Sequence, residues 1–206
     1  MACITHIPET VTFIHNPKAA GMSIARWMEL HARGRSIYPR HALAKDLNQD
    51  LGWTFCVVRH PWTLFLSRYK FVIQRTKIFV DYLEADSPGI MPKEVGVAFR
   101  DGWLTDSTFT IEVQKNKLVY MRENFLEYCK EHVLFNQTQY SEGCNYTIKY
   151  ENLNEEFKIV QDRLNVFQPL PYINKSDHIE INNEQEAKDI IFERYKEQAK
   201  LLGYII

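Results

Sequence analysis

A chain of 206 residues with a formal net charge of −1 and 45% hydrophobic residues holds enough apolar material for one α/β domain with its own core. That balance argues against intrinsic disorder and against a general nucleic-acid binder, whose surface is strongly basic. No apolar run is long enough to cross a membrane, and Met1 to Thr10 lacks the basic-then-apolar pattern of a secretory leader, so a cytoplasmic protein is expected.

Taken in chain order, Val11-Thr12-Phe13-Ile14-His15 is a β-branched and aromatic run that predicts a strand, stopped by the turn signal Asn16-Pro17. From Met22 the spacing turns helical, with Ile24, Trp27 and Met28 on one face and Arg26 and Glu29 off it. A short helix is expected over Ala42 to Leu51. Trp53 to Val58 is continuously apolar, as in a strand covered on both faces. Arg59-His60 ends it, Pro61 suits a first helical position, and Phe65, Tyr69 and Val72 carry a helix from about Trp62 to Thr76.

Asp81 to Ser107 is rich in Gly, Pro and acidic residues with weak periodicity, and reads as a loop-rich insertion facing a substrate or forming a lid. Its Lys93, Phe99, Arg100 and Trp103 suit the lining of a sugar or small-molecule cleft and equally suit packing and surface. Further helices are expected over Phe125 to His132, Asn154 to Leu164 and Asn183 to Leu202, with a strand over Tyr146 to Tyr150. Strands alternating with helices predict an α/β fold with a largely parallel sheet, and no linker divides the chain, so residues 1–206 read as one domain. The four cysteines, Cys3, Cys56, Cys129 and Cys144, form no C-x-x-C pair or zinc spacing, and reduced thiols with Cys56 buried are expected.

The first strand-loop-helix carries the chemistry. A helix N-terminus presents unpaired N–H groups and a partial positive charge, which favour an anion. Ala19, Ala20 and Gly21 let an anion approach the backbone, Lys18 adds a cation and Ser23 a hydroxyl. A nucleoside-triphosphate loop would end in Gly-Lys-Ser/Thr; here the lysine precedes the small residues and that signature occurs nowhere. On its own, the loop fits a tight βα turn with an exposed lysine equally well. Arg59, at the carboxyl end of a strand, points to the crevice where α/β sheets bind ligands, and a guanidinium grips phosphate with paired hydrogen bonds. Ser67, in the second turn of the next helix, adds a donor. The bland readings are a cation at a sheet edge and an indifferent helix serine.

Pro17-Lys18-Ala19-Ala20-Gly21-Met22-Ser23 resembles the 5′-phosphosulfate loop of sulfotransferases that use 3′-phosphoadenosine 5′-phosphosulfate (PAPS), and Arg59 to Tyr69 resembles their 3′-phosphate motif. Tyr150-Glu151-Asn152-Leu153 is similar to a segment whose Glu orders the start of a helix. Pro171-Tyr172-Ile173-Asn174-Lys175-Ser176 resembles a late loop that closes over nucleotide, and Tyr195 to Tyr204 the terminal helix. The carbohydrate sulfotransferases of the heparan 2-O and 6-O type are the nearest subgroup. The resemblance implies a P-loop-NTPase-like three-layer fold and transfer of a sulfuryl group from PAPS to a hydroxyl, leaving 3′-phosphoadenosine 5′-phosphate (PAP). It further implies a nucleotide site of Pro17 to Ser23, Arg59, Ser67, Lys175 and Ser176, with no metal. Met22 stands where the family has Thr, and Met cannot donate a side-chain hydrogen bond.

Sulfuryl transfer needs a base for the attacking hydroxyl, and histidine titrates in the right range. Among His6, His15, His31, His41, His60, His132 and His178, the resemblance selects His41, which opens His41-Ala42-Leu43-Ala44 where the 2-O and 6-O enzymes carry their base; Leu43 and Ala44 replace an aromatic there. His15, adjoining the loop, competes, although its place at a strand end suits local packing or hydrogen bonding better; His60, beside Arg59, suits a contact with nucleotide. Lys18 would donate to the bridging oxygen as the S–O bond breaks. The acceptor is a hydroxyl compound, a saccharide or a small molecule; no nucleic-acid partner or membrane segment is expected. A bacterial or viral source fits the absence of an N-terminal anchor. Two alternatives stay open: a kinase-like nucleotide binder on the same scaffold, and a PAPS-binding protein with weakened catalysis.

Overall fold

The computed structural model describes residues 5–7, 11–36, 42–46, 51–85, 92, 96, 110–173 and 181–205. They fall into two compact units, Met1–Phe65 with Leu134–Lys175 and Phe192–Ile206, and Leu66–Val133 with Ser176–Ile191.

The first unit is built on the two apolar runs. Val11–Ile14 forms β2 and Trp53–Val58 forms β4, and they pair in parallel with Phe13 level with Phe55. Tyr146–Lys149 forms β5, parallel to β4, with Val58 level with Lys149. Thr5–Ile7 (β1) and Arg35–Ser36 (β3) add an antiparallel edge, completing a five-stranded sheet in the order β3-β1-β2-β4-β5. The fold is therefore α/β around three parallel strands, but the sheet is mixed rather than parallel throughout. β1 and β3 are too short to carry a period-two pattern of their own.

Alternation along the strands sorts the core onto two faces. Phe13, Phe55, Val57 and Ile148 pack with Ile24, Trp27 and Met28 of α1 (Gly21–His31) and with Phe157 and Val160. Trp27 meets Phe157 edge-on at 5.0 Å, and its indole N–H donates to Gln168 O at 2.6 Å, so the largest core side chain is buried with its polar atom satisfied. Ile14, Cys56 and Val58 face the other way, onto Tyr140 and Leu202. Helix α2 (Pro61–Glu84) begins two residues past β4 and outruns the expected end at Thr76. The Thr76 hydroxyl back-bonds to Val72 O at 2.9 Å, and Phe79 and Val80 prolong the buried face.

In the second unit, Tyr69 of α2 packs on Phe125 and Tyr128, with centroids 4.7 and 5.2 Å away, and donates to Met121 O at 2.9 Å. Helix α3 (Ile111–Glu123), which the residues alone do not announce, is capped by Thr110, whose side chain accepts from Val113 N at 3.3 Å. It is followed by α4 (Phe125–Glu131).

Three further expectations change. Within the expected helix Ala42 to Leu51, the described residues form only a 3-10 turn, Ala44–Asp46. Of the insertion at 81–107, the first residues are the last turn of α2, and Lys93, Phe99, Arg100 and Trp103 lie outside the described residues. The helix expected over Asn154 to Leu164 is two short pieces, α6 (Leu153–Glu156) and α7 (Lys158–Leu164), after α5 (Thr138–Ser141) and a 3-10 turn at Tyr150–Asn152. Helix α8 (Glu184–Leu201) closes the chain order. No helix of the described residues is long and apolar enough to cross a membrane.

Candidate functional site

The three parallel strands end at one edge of the sheet, where the loop from Asn16 to Ala20, Arg59 and Tyr150 follow them. Past Ile14, the chain turns through Asn16, Pro17 and Lys18 to start α1 at Gly21. Lys18 and Ala20 hold left-handed backbone, with φ of 61° and 58°. Residues with a Cβ adopt that conformation at a cost of about 1–2 kcal/mol each, and such strain concentrates where a loop is shaped for a ligand. The first N–H groups of α1 receive no side-chain cap, since Ala20 at the cap position has no acceptor. Gly21 is required by contact: a Cβ there would lie 1.9 Å from Cδ2 and Nε2 of His15, whose buried ring stacks on Phe13.

Arg59 follows β4 directly. Its Nη1 donates to Lys18 O at 3.1 Å, its Nε donates to the Thr63 hydroxyl at 3.1 Å, and its guanidinium lies 3.9 Å above the Tyr150 ring. One contact thus joins the arginine at the end of β4 to the loop at the end of β2. Burial pulls the guanidinium below its ordinary range; Tyr150, Glu151, Tyr204 and Tyr172 oppose that. The stacked, forked contact is one that Lys could not reproduce.

Around Arg59 several polar groups pair with one another. The buried Gln137 carboxamide mimics a strand neighbour: Nε2 donates to Arg59 O at 2.7 Å, and Oε1 accepts from Arg59 N at 2.9 Å and from Asn16 Nδ2 at 3.0 Å. Asn16 Nδ2 also donates to Val57 O at 2.8 Å. Glu151 Oε1 accepts from His60 N at 3.0 Å and from the Thr63 hydroxyl at 3.0 Å, capping the start of α2 from another segment. The Tyr204 hydroxyl shares its proton between Glu151 Oε2 at 2.8 Å and Val58 O at 3.2 Å, and burial together with Glu151 pushes that phenol far up. The His60 ring sits edge-on between Phe192 and Tyr204 at 5.3 and 5.4 Å, and burial lowers its pKa against the pull of Glu151.

Ser23 is nearly buried in the first turn of α1, and its Oγ accepts from Ile173 N at 3.3 Å, tying Pro171 to Ile173 to the loop. Met22 is 37% exposed and Lys18 half-buried. Ala42, Leu43 and Ala44 pack against the cluster that contains Ile14 and Val58. Ser67 follows Thr63 by one turn of α2 and is half-buried, in the second unit. His41, Lys175 and Ser176 lie outside the described residues. Asn16, Thr63 and Gln137 are site-shaping residues that no motif announces. Asn16 alone had a signal, as the residue before Pro17 in a loop with an anion-binding pattern.

Comparison with protein-family models, with curated proteins and with solved structures gives no match.

Proposed function

We propose that the chain is a sulfotransferase that moves a sulfuryl group from PAPS to a hydroxyl acceptor, on a P-loop-NTPase-like three-layer scaffold. The observation that carries the reading is the Arg59 Nη1 to Lys18 O hydrogen bond, which brings a phosphate-type loop and a strand-end arginine to the same edge of the sheet. A ligand with phosphates at two positions of its sugar suits such an edge better than a linear triphosphate does. The lysine ahead of the small residues, with no Gly-Lys-Ser/Thr in the chain, favours PAPS over ATP in the same way.

In this reading, the N–H groups at the start of α1 and the Ser23 hydroxyl hold the 5′-phosphate, and Arg59 holds the 3′-phosphate. Tyr150 beneath the guanidinium and Gln137 on its backbone keep Arg59 in place. Lys18 neutralises the charge that develops on the bridging oxygen as the S–O bond breaks. His41 takes the proton of the acceptor hydroxyl as that oxygen attacks sulfur in line. Support for His41 comes from its neighbour in the chain, Ala42, which packs against the cluster of Ile14 and Val58, the last residues of β2 and β4.

The test is transfer of labelled sulfate from PAPS to a panel of saccharide and small-molecule hydroxyls. His41→Ala is expected to lose about 10²–10⁴ in rate while PAP affinity stays near wild type, and Lys18→Ala to lose transfer. Absence of transfer to every acceptor, together with absence of PAP binding, would contradict the proposal.

A further inference from the structure

Behind the Arg59 edge, the first unit brings two thiols together. Cys56 lies within β4, wholly buried on the face it shares with Ile14 and Val58, and Cys144 packs against that same cluster from the turn between α5 and β5. Both are free thiols, and Cys144 is half-buried where Cys56 is closed off. The turn is pinned to the strand by Asn145. Its N–H donates to Thr54 O at 2.9 Å, and its Oδ1 accepts from Thr54 N at 2.8 Å. This pinning seats Cys144 against the cluster that contains Cys56, near enough for each thiol to influence the other's titration. Cys144 Sγ also donates to Tyr140 O at 3.2 Å, and Cys56 Sγ points to the Thr147 hydroxyl at 3.8 Å.

We propose that Cys56 and Cys144 form a peroxide-sensitive dithiol, a reversible modification site in which Cys144 attacks and Cys56 resolves. The division of labour follows from access and acidity. Of the two, Cys144 alone has exposed surface, and the neighbouring Cys56 thiol, against the opposing effect of burial, holds the Cys144 thiol below the ordinary range, which favours the reactive thiolate. The Cys144 thiol and burial push Cys56 well up, so it stays a protonated thiol until a sulfenic acid forms beside it. In the first step, the Cys144 thiolate attacks an oxygen of hydrogen peroxide, the O–O bond breaks, and the departing hydroxide takes a proton and leaves as water. In the second, Cys56 attacks the Cys144 sulfenic sulfur, the S–S bond forms, the S–O bond breaks, and the hydroxyl leaves with the Cys56 proton as water. Two thiols lose two electrons, and hydrogen peroxide becomes two waters. Helix α5 joins this turn to Gln137, so the pair neighbours the segment that clamps the Arg59 backbone.

Graded hydrogen peroxide treatment of the full chain, read by intact mass and by digestion without reductant, tests the pair. The expected result is loss of two hydrogens and a Cys56–Cys144 cross-linked peptide, both reversed by dithiothreitol. Cys144→Ser should abolish the loss. Cys56→Ala, a small apolar exchange within the core, should stop at a Cys144 sulfenic acid that dimedone labels. The wild-type map decides the matter even if a variant folds poorly. A cross-link through Cys3 or Cys129 instead, a Cys144 carried to sulfinic acid without any cross-link, or a two-hydrogen loss that survives Cys144→Ser would overturn the proposal.

Discussion

The two sides of the edge where the parallel strands end are built on opposite principles. At the end of β2, the chain from Asn16 to Ser23 holds two left-handed residues and an uncapped helix start, leaving backbone N–H groups for an anion. At the end of β4, Arg59, His60 and Thr63 are bound on several sides by Gln137, Glu151 and the tyrosines. One side supplies donors by shaping backbone; the other supplies a single charged fork, held still by the buried Gln137 carboxamide, the Thr63 hydroxyl and the Lys18 carbonyl. Preorganising a charged group in this way removes the ordering cost that binding would otherwise carry. Under the proposed function, affinity would come from backbone geometry on one side and from a side-chain network on the other.

Removing Glu151 tests the networked side most severely. Glu151→Ala deprives His60 N–H of its acceptor, the Thr63 and Tyr204 hydroxyls of one of their two acceptors, and α2 of its cap. A loss of about 2–4 kcal/mol is expected, combining a cap and hydrogen bonds to a charged group. Urea unfolding measures it, and Glu151→Gln, which keeps an oxygen acceptor, should lose clearly less.

On the loop side, Gly21→Ala drives a Cβ into the His15 ring. Overpacking of this kind is expected to cost about 1–3 kcal/mol. Combining it with His15→Ala should return part of that loss, and additive effects of the two changes would deny the contact.

A smaller effect is expected from Met22→Thr, which adds a hydroxyl to the first turn of α1 at a position already 37% exposed. One extra donor should tighten PAP by about 0.5–1.5 kcal/mol, or roughly two- to tenfold, as read by calorimetry.

The smallest effect is a pH slope. Burial lowers the His60 pKa in the folded chain, so below about 6.5 the unfolded chain binds the proton more readily. Stability therefore rises with pH from the folded value up to the ordinary one and is level above it. His60→Gln should flatten the fall in melting temperature on acidification. His132 in the second unit, shifted in the same direction by burial, contributes a slope of the same sign.

The parts legible from the sequence are those where a local pattern and the fold agree. The apolar runs of β2 and β4 announced a covered sheet, and Pro61 announced the start of α2. The apolar spacing of Phe65, Tyr69 and Val72 carries α2 only to about Thr76, whereas the Thr76 hydroxyl turns back into the helix and α2 continues to Glu84. The split of α6 and α7 at Phe157 left no mark in the apolar spacing. At the site, Lys18, Gly21 and Arg59 were visible because anion chemistry requires those residue types near a helix start and a strand end. Gln137 was not, because a buried carboxamide that copies a strand partner depends on a long-range contact and leaves no spacing to find.

The most direct measurement is a calorimetric cycle that crosses Arg59→Ala with removal of the 3′-phosphate from the ligand, comparing PAP with adenosine 5′-monophosphate. Wild type should bind PAP about 10–100-fold more tightly than the monophosphate, as expected when a charged hydrogen-bond pair is lost. In Arg59→Ala that preference should vanish, leaving the two ligands within about twofold of each other. An undiminished preference for PAP in the variant, or magnesium-dependent binding of ATP tighter than PAP in wild type, would contradict the account.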